Sequence, residues 1–126
     1  MRSDAELHAA IEAAAQLPSS GLIFLPDSFL ASRSAVAAVA ARKLPAVYSI
    51  AAFPRNGGLI SLGIERAEIF YRAARCADRI LKGEKPAELP VQMPDKFELV
   101  VNLKTAKSMG LDMTPALLAR ADEVIE

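Results

Sequence analysis

The chain has 126 residues, enough for one domain with a sizeable core, and 52% of them are hydrophobic. Fifteen basic residues balance fifteen acidic ones, so net charge gives no support for a nucleic-acid or anionic-membrane partner. Cys76 is the only cysteine, which excludes an intrachain disulfide and a cysteine metal cluster. No apolar run approaches the roughly 18 residues of a membrane-spanning helix. The opening MRSDAELHAA lacks a basic start followed by an apolar core, so no export signal is expected in this chain.

Ser3, with Glu6 three residues on, is a capping-box pattern that starts a helix. Leu7, Ala10, Ile11 and Ala14 form its apolar face, His8 falls outside that face as a surface residue, and residues 18–21 (PSSG) end it. The run Leu22-Ile23-Phe24-Leu25 reads as a strand buried on both faces, as in a parallel sheet. Pro26 closes it, and Asp27, Ser28 and Ser32 are candidate caps of a helix reaching about Arg42. Ala46-Val47-Tyr48-Ser49 is a second strand, so the two strands should run parallel. Residues 50–58 are irregular, with turns at Pro54 and Asn56-Gly57-Gly58.

Residues 59–62 form a short strand or extended segment that leads into the longest helix, which reaches Lys82. Ala67, Phe70, Ala74, Ala77 and Leu81 recur at spacings of three and four and form one apolar stripe. Glu68 with Arg72, and Asp78 with Lys82, are acid-first pairs four apart. Cys76 on this helix is expected to be buried as a small apolar group. Gly83 fits a left-handed C-cap, and Pro86, Pro90 and Pro94 punctuate an extended stretch. Residues 97–102 are the last expected strand. Asn102 caps a short helix stopped by Gly110, and Thr114 with Pro115 opens a final one whose apolar side is Leu117, Leu118 and Ala121.

One His, one Cys and no Gly-x-Ser-x-Gly or phosphate-loop pattern leave no nucleophile–base set, so no enzyme, metal site or cofactor is expected. Ligands of open α/β sheets sit beyond the carboxyl ends of the strands. That rule selects Asp27, Ser28, Tyr48, Ser49 and Ser61, a set suited to a small polar or aromatic solute. Helix capping explains Asp27 and Ser28 equally well, and half-buried packing explains Tyr48. Phe53 and Arg55 flank the glycine turn, either as loop residues that close over a ligand or as plain surface.

The runs GLIFLPDSF, AARKLPAVYS and GGLISLGIERAEIFYRAARCADRILKGEKPAELPVQMPDKFELVVNLKTAKSMGL resemble the C-terminal part of the solute-binding proteins of bacterial ABC transporters. The branch they resemble is the tryptophan and aromatic-amino-acid type, within the type I periplasmic binding fold. The resemblance implies an α/β fold, a three-layer parallel sheet flanked by helices, forming the second lobe of a two-lobed protein. Residues 1–58 would supply strand–helix units, 59–90 a crossing segment with the long helix, and 91–126 the return strand and terminal helices. It implies a small amino-acid-like or aromatic solute held between lobes and presented to an ABC permease, without catalysis or cofactor. The ligand-facing role then falls on Asp27, Ser28, Tyr48 and Ser49, with Ser61 near the crossing. The longer parent would begin with an export signal and work in the periplasm or another extracytoplasmic space. The long helix would normally pack on the first lobe, so the present chain is expected to cover its stripe by forming a homodimer or, alternatively, by folding the helix back on its own sheet through the tether at residues 58–61. The alternative is a standalone homodimeric α/β interaction module without a transport role; a third is a small enzyme or regulator on a flavodoxin-like sheet.

Overall fold

Short-range signals set the helix ends. The Glu6 amide donates to the Ser3 hydroxyl at 3.2 Å, and helix α1 runs Asp4–Ala15. In the computed structural model, which describes residues 3–26 and 33–126, His8 faces solvent. Leu7 and Ile11, one turn apart on α1, are buried together with Val36 and Val39 of α2 (Arg33–Ala41). Both helices press on Phe24, Ala46 and Tyr48, which project from the sheet into a single apolar cluster.

The sheet has five strands in the order β1 (Leu22–Phe24), β2 (Ala46–Tyr48), β3 (Ile60–Ile64), β4 (Phe97–Asn102) and β5 (Glu123–Ile125). Strands β1, β2 and β3 are parallel, with Leu22 opposite Ala46 and Tyr48 opposite Ser61. Strand β5 is parallel to β4, with Val101 opposite Val124. Between β3 and β4 the direction reverses: the Asn102 amide donates to the Leu59 carbonyl, and the Glu65 amide donates to the Lys96 carbonyl. Residue numbers thus rise on one strand as they fall on the other, the pattern of an antiparallel pair. The fold is α/β, a mostly parallel sheet flanked by helices.

Two expectations need correction. Strand β1 is not buried on both faces, since Ile23 is 75% exposed while Phe24 is buried. An unbroken apolar run shows that a strand is hydrophobic but not how many of its faces are covered. And β4 is not the last strand. Helix α6 stops at Leu118 (Pro115–Leu118), and the chain returns to the sheet as β5. The Asp122 amide donates to the Leu99 carbonyl at 2.9 Å and its carboxylate accepts from the Leu99 amide at 2.8 Å, pinning the start of β5.

The chain divides into two units. The first holds residues up to Gly63 and from Glu98 onward; the second is Ile64–Phe97. In the first unit, Val100 and Val101 point to opposite faces of β4 and both are fully buried. Asn102 caps helix α5 (Leu103–Met109) as expected, accepting from the Thr105 amide at 2.9 Å. Gly110 closes α5 in the left-handed region at φ 74°.

The second unit is built on helix α4 (Arg66–Leu81). Gly83 has φ 100°, and the Glu84 amide reaches back to the Arg79 carbonyl, the Schellman closure that a left-handed glycine permits. Glu68–Arg72 and Asp78–Lys82 pair at 2.8 Å each. No residue of α4 is buried. Phe70 is 67% and Leu81 87% exposed, with Ala67, Ala74 and Ala77 open beside them, so the whole stripe faces solvent. Cys76, expected to be buried, is half-buried.

Candidate functional site

Strand β2 delivers the chain to Ser49 at its carboxyl end, and residues 49–58 return it to the start of β3. This crossover is too short for more than the single turn of α3 (Ala52–Arg55). It is fastened from beneath by aromatic rings. Tyr48 stacks on Phe24 at 4.9 Å between centroids and on Phe53 at 4.8 Å, with the planes 22° and 16° apart. Gly58 closes the stack from the side: a Cβ there would stand 2.8 Å from the Tyr48 ring and 3.0 Å from the Phe53 carbonyl. Burial among these groups pushes the Tyr48 phenol up to about 12, because the charged phenolate is poorly solvated there.

The residues selected at the strand ends therefore separate. Ser49 sits half-buried at the carboxyl end of β2. Asp27 and Ser28 lie outside the described residues. Tyr48 does not present a ring face to solvent as expected, since both faces are taken by phenylalanines and only 1% of the residue is exposed. Ser61 is likewise enclosed at 0% exposure, opposite Tyr48 in the parallel register. In this arrangement Tyr48 and Ser61 form the floor under the strand ends rather than the surface above them. Phe53 belongs to the same floor, and Arg55 is engaged in ion pairs.

Among the described residues the Ser61 hydroxyl has no hydrogen-bond partner. An unsatisfied buried hydroxyl costs about 1–3 kcal/mol. Ser61→Ala is therefore expected to leave stability unchanged or raise it by about 1 kcal/mol, read as the urea midpoint. A loss above about 1 kcal/mol would show that the hydroxyl is satisfied, by water or otherwise, and contributes.

Sequence reasoning missed the side chains that hold the crossover. Asn102 donates from Nδ2 to the Pro54 carbonyl at 2.8 Å while its Oδ1 caps α5. The Thr105 hydroxyl donates to the Gly57 carbonyl at 3.0 Å. Arg55 pairs with Glu123 at 2.5 Å and Glu98 at 2.9 Å. The hydrogen bond from Arg55 holds the Glu123 carboxyl below the usual carboxylate range. Its contribution is present at neutral pH and fades as pH falls through that lowered value; with both groups exposed it is small. The capping pattern reveals Asn102 as a cap, but no local signal points to a carbonyl 48 residues away.

In the second unit, Ile64, Ile69, Ala73 and Cys76 face Pro90 and Pro94 across a groove of about 280 Å³. Arg72 ties its rim together, bonding Glu68, the Met93 carbonyl and Asp95. The hydrogen bond from Arg72 lowers the Glu68 carboxyl below its usual range. Among the described residues no cluster of three His, Cys, Asp or Glu side chains is placed to hold a metal ion. No helix among them is long and apolar enough to cross a membrane.

Comparisons with known proteins agree with this architecture. The profile of the family described as ABC transporter substrate binding protein matches residues 2–125. A tyrosine-binding protein of Clostridioides difficile is 27% identical over 74 residues, which is 59% of this chain and 21% of that protein. Among solved structures, a conserved domain protein from Vibrio cholerae is 28% identical with a TM-score of 0.84, over 95% of this chain and 41% of the other. An ABC domain from Streptococcus pneumoniae solved in complex with L-Trp is 26% identical with a TM-score of 0.85, over 99% of this chain and 43% of the other. The chain thus spans less than half the length of these relatives. With its sheet, its helices and nearly its whole sequence accounted for, the chain belongs to the ABC transporter substrate-binding protein family.

Proposed function

We propose that this chain is part of the solute-binding component of an ABC import system, and that its solute is an aromatic or similar amino acid. The observation that carries the proposal is the family match across residues 2–125, joined to the 0.85 TM-score likeness to a domain solved with L-Trp. Ser49 after β2, together with Asp27 and Ser28 after β1, face the solute. A carboxylate and hydroxyls at strand ends suit the ammonium and carboxylate of an amino acid. Tyr48 and Ser61 support that surface from below. The solute is held in an interlobe cleft of the whole protein and passed to a permease outside the cytoplasm, as is typical of this generally non-enzymatic family.

The test is a thermal-shift and calorimetric screen of the twenty L-amino acids on the longest natural polypeptide containing these residues. At a hundredfold excess over Kd, a bound solute adds about 2.7 kcal/mol of stability, a shift of several degrees. Ser49→Ala is expected to weaken binding about tenfold, or about 1.4 kcal/mol. If no amino acid shifts the transition or releases heat, the proposal is wrong.

The open stripe on α4 favours a second reading, a homodimeric module in which the stripe of one copy covers that of another. A few hundred Å² of apolar surface moved out of water is worth several kcal/mol at about 25 cal/mol per Å². Light scattering decides: a monodisperse monomer at micromolar concentration removes this reading.

A further inference from the structure

We propose that Asn102 is the positioning residue of the solute site. It fixes the 49–58 crossover, and through it Ser49, from the return strand β4. The proposal rests on the solute-binding reading given above for the role of Ser49; the anchoring itself rests on geometry alone.

Asn102 is 5% exposed, and its backbone amide and both polar atoms of its side chain are hydrogen-bonded. Its backbone amide donates to the Leu59 carbonyl at 2.9 Å, where the crossover ends. Its Nδ2 donates to the carbonyl of buried Pro54, inside α3. Its Oδ1 accepts from the Thr105 amide. The side chain thus joins the middle of the crossover to the first turn of α5, while the backbone of the same residue holds the end of the crossover. From Pro54 the restraint passes along α3 to the Phe53 amide, which donates to the Ile50 carbonyl at 3.1 Å beside Ser49. The other side-chain ties are weaker: Arg55 is itself exposed and pairs with two half-buried carboxylates, and the Thr105 hydroxyl holds only Gly57 near the far end. An amide is needed because the two jobs are opposite in kind, one donor and one acceptor, set close together in a dry site.

Asn102→Asp separates the two jobs. At neutral pH the introduced carboxylate still caps α5 but has no hydrogen to give to Pro54. Once protonated, it is again a donor and an acceptor of nearly the same shape. Hydrogen exchange of the backbone amides, followed against wild type at each pH, reads the consequence. At pH 7 the amides of Phe53 and residues 55–58 are expected to exchange at least tenfold faster in the variant, while those of α5 stay within about threefold. As the carboxyl takes up its proton on acidification, the difference at 53–58 should close. Asn102→Ala loses both bonds, loosens α5 as well, and shows no recovery with pH. Thr105→Val, the milder variant should the others fold poorly, is expected to loosen Gly57 and Gly58 alone.

L-Tryptophan is the binding probe, titrated into the longest natural polypeptide containing these residues. Asn102→Asp is expected to weaken it tenfold or more at pH 7, with the loss shrinking as the carboxyl protonates. Unchanged exchange at residues 53–58 at pH 7 overturns the proposal. Faster exchange with undiminished L-tryptophan affinity also overturns it, leaving Asn102 a purely structural anchor. If the wild type binds neither L-tryptophan nor any other amino acid, the solute reading fails, and the exchange data alone then judge the anchor.

Discussion

Replacing Tyr48 with alanine is expected to cost about 3–5 kcal/mol of folding stability, enough to unfold much of the protein at physiological temperature given typical domain stabilities. The ring is the middle member of a three-ring stack and is 1% exposed. Its loss would leave an aromatic-sized cavity between Phe24 and Phe53, and dense packing by α1 and α2 limits how far the walls can close. Urea unfolding measures the cost. Tyr48→Phe keeps both stacking contacts and should cost less than about 1.5 kcal/mol. The pair of variants also separates packing from direct contact with solute. If Tyr48 acts only as floor, Tyr48→Phe binds solute as the wild type does. The phenol supplies a further signature. Its pKa is raised from 10.0 to about 12 in the folded state, so its contribution is complete below pH 10 and is lost as pH climbs from 10 toward 12. That alkaline loss should vanish in Tyr48→Phe. Its persistence there would assign it to other groups.

Gly63→Ala is the second large effect. A Cβ on Gly63 would stand 2.8 Å from the Ser49 carbonyl carbon and closer still to its oxygen. Both neighbours are backbone, so no flexible side chain can move aside. The adjacent ends of β2 and β3 would have to separate, at a cost of about 3 kcal/mol and a midpoint lowered by about 10 °C. The separation falls on Ser49 itself, so the variant should also lose solute affinity more steeply than stability alone explains. Thermal unfolding close to wild type would show that the strand ends are looser than this contact requires. Gly57→Ala is a useful contrast. There a Cβ meets nothing within 4 Å, but φ is 99°, so its penalty is backbone strain alone.

The sequence by itself determined several helix ends and the identity of the fold. Ser3, Asn102, Thr114, Gly83 and Gly110 all act at the ends of their helices, where a cap needs only a neighbour three or four residues away. The Glu68–Arg72 and Asp78–Lys82 pairs are equally local. The α4 stripe was legible for the same reason, because helical periodicity fixes which residues share a face. The family was legible because its runs cover most of the chain. Only the tertiary structure decided the rest. Glu123-Val124-Ile125 is too short to announce a strand, and it becomes one because β4 offers a free edge and Asp122 is pinned to Leu99. Tyr48 lies near a strand end in sequence, yet Phe24 and Phe53 enclose its ring, and Ser61 opposite it is sealed from solvent as well. Asn102 reads as a cap, and its second bond to Pro54 exists only once the return strand lies beside the crossover. Local chemistry fixes where elements begin and end; which of their polar groups are sealed from water, and by what, depends on contacts between residues far apart in the chain, and those form only in the folded sheet.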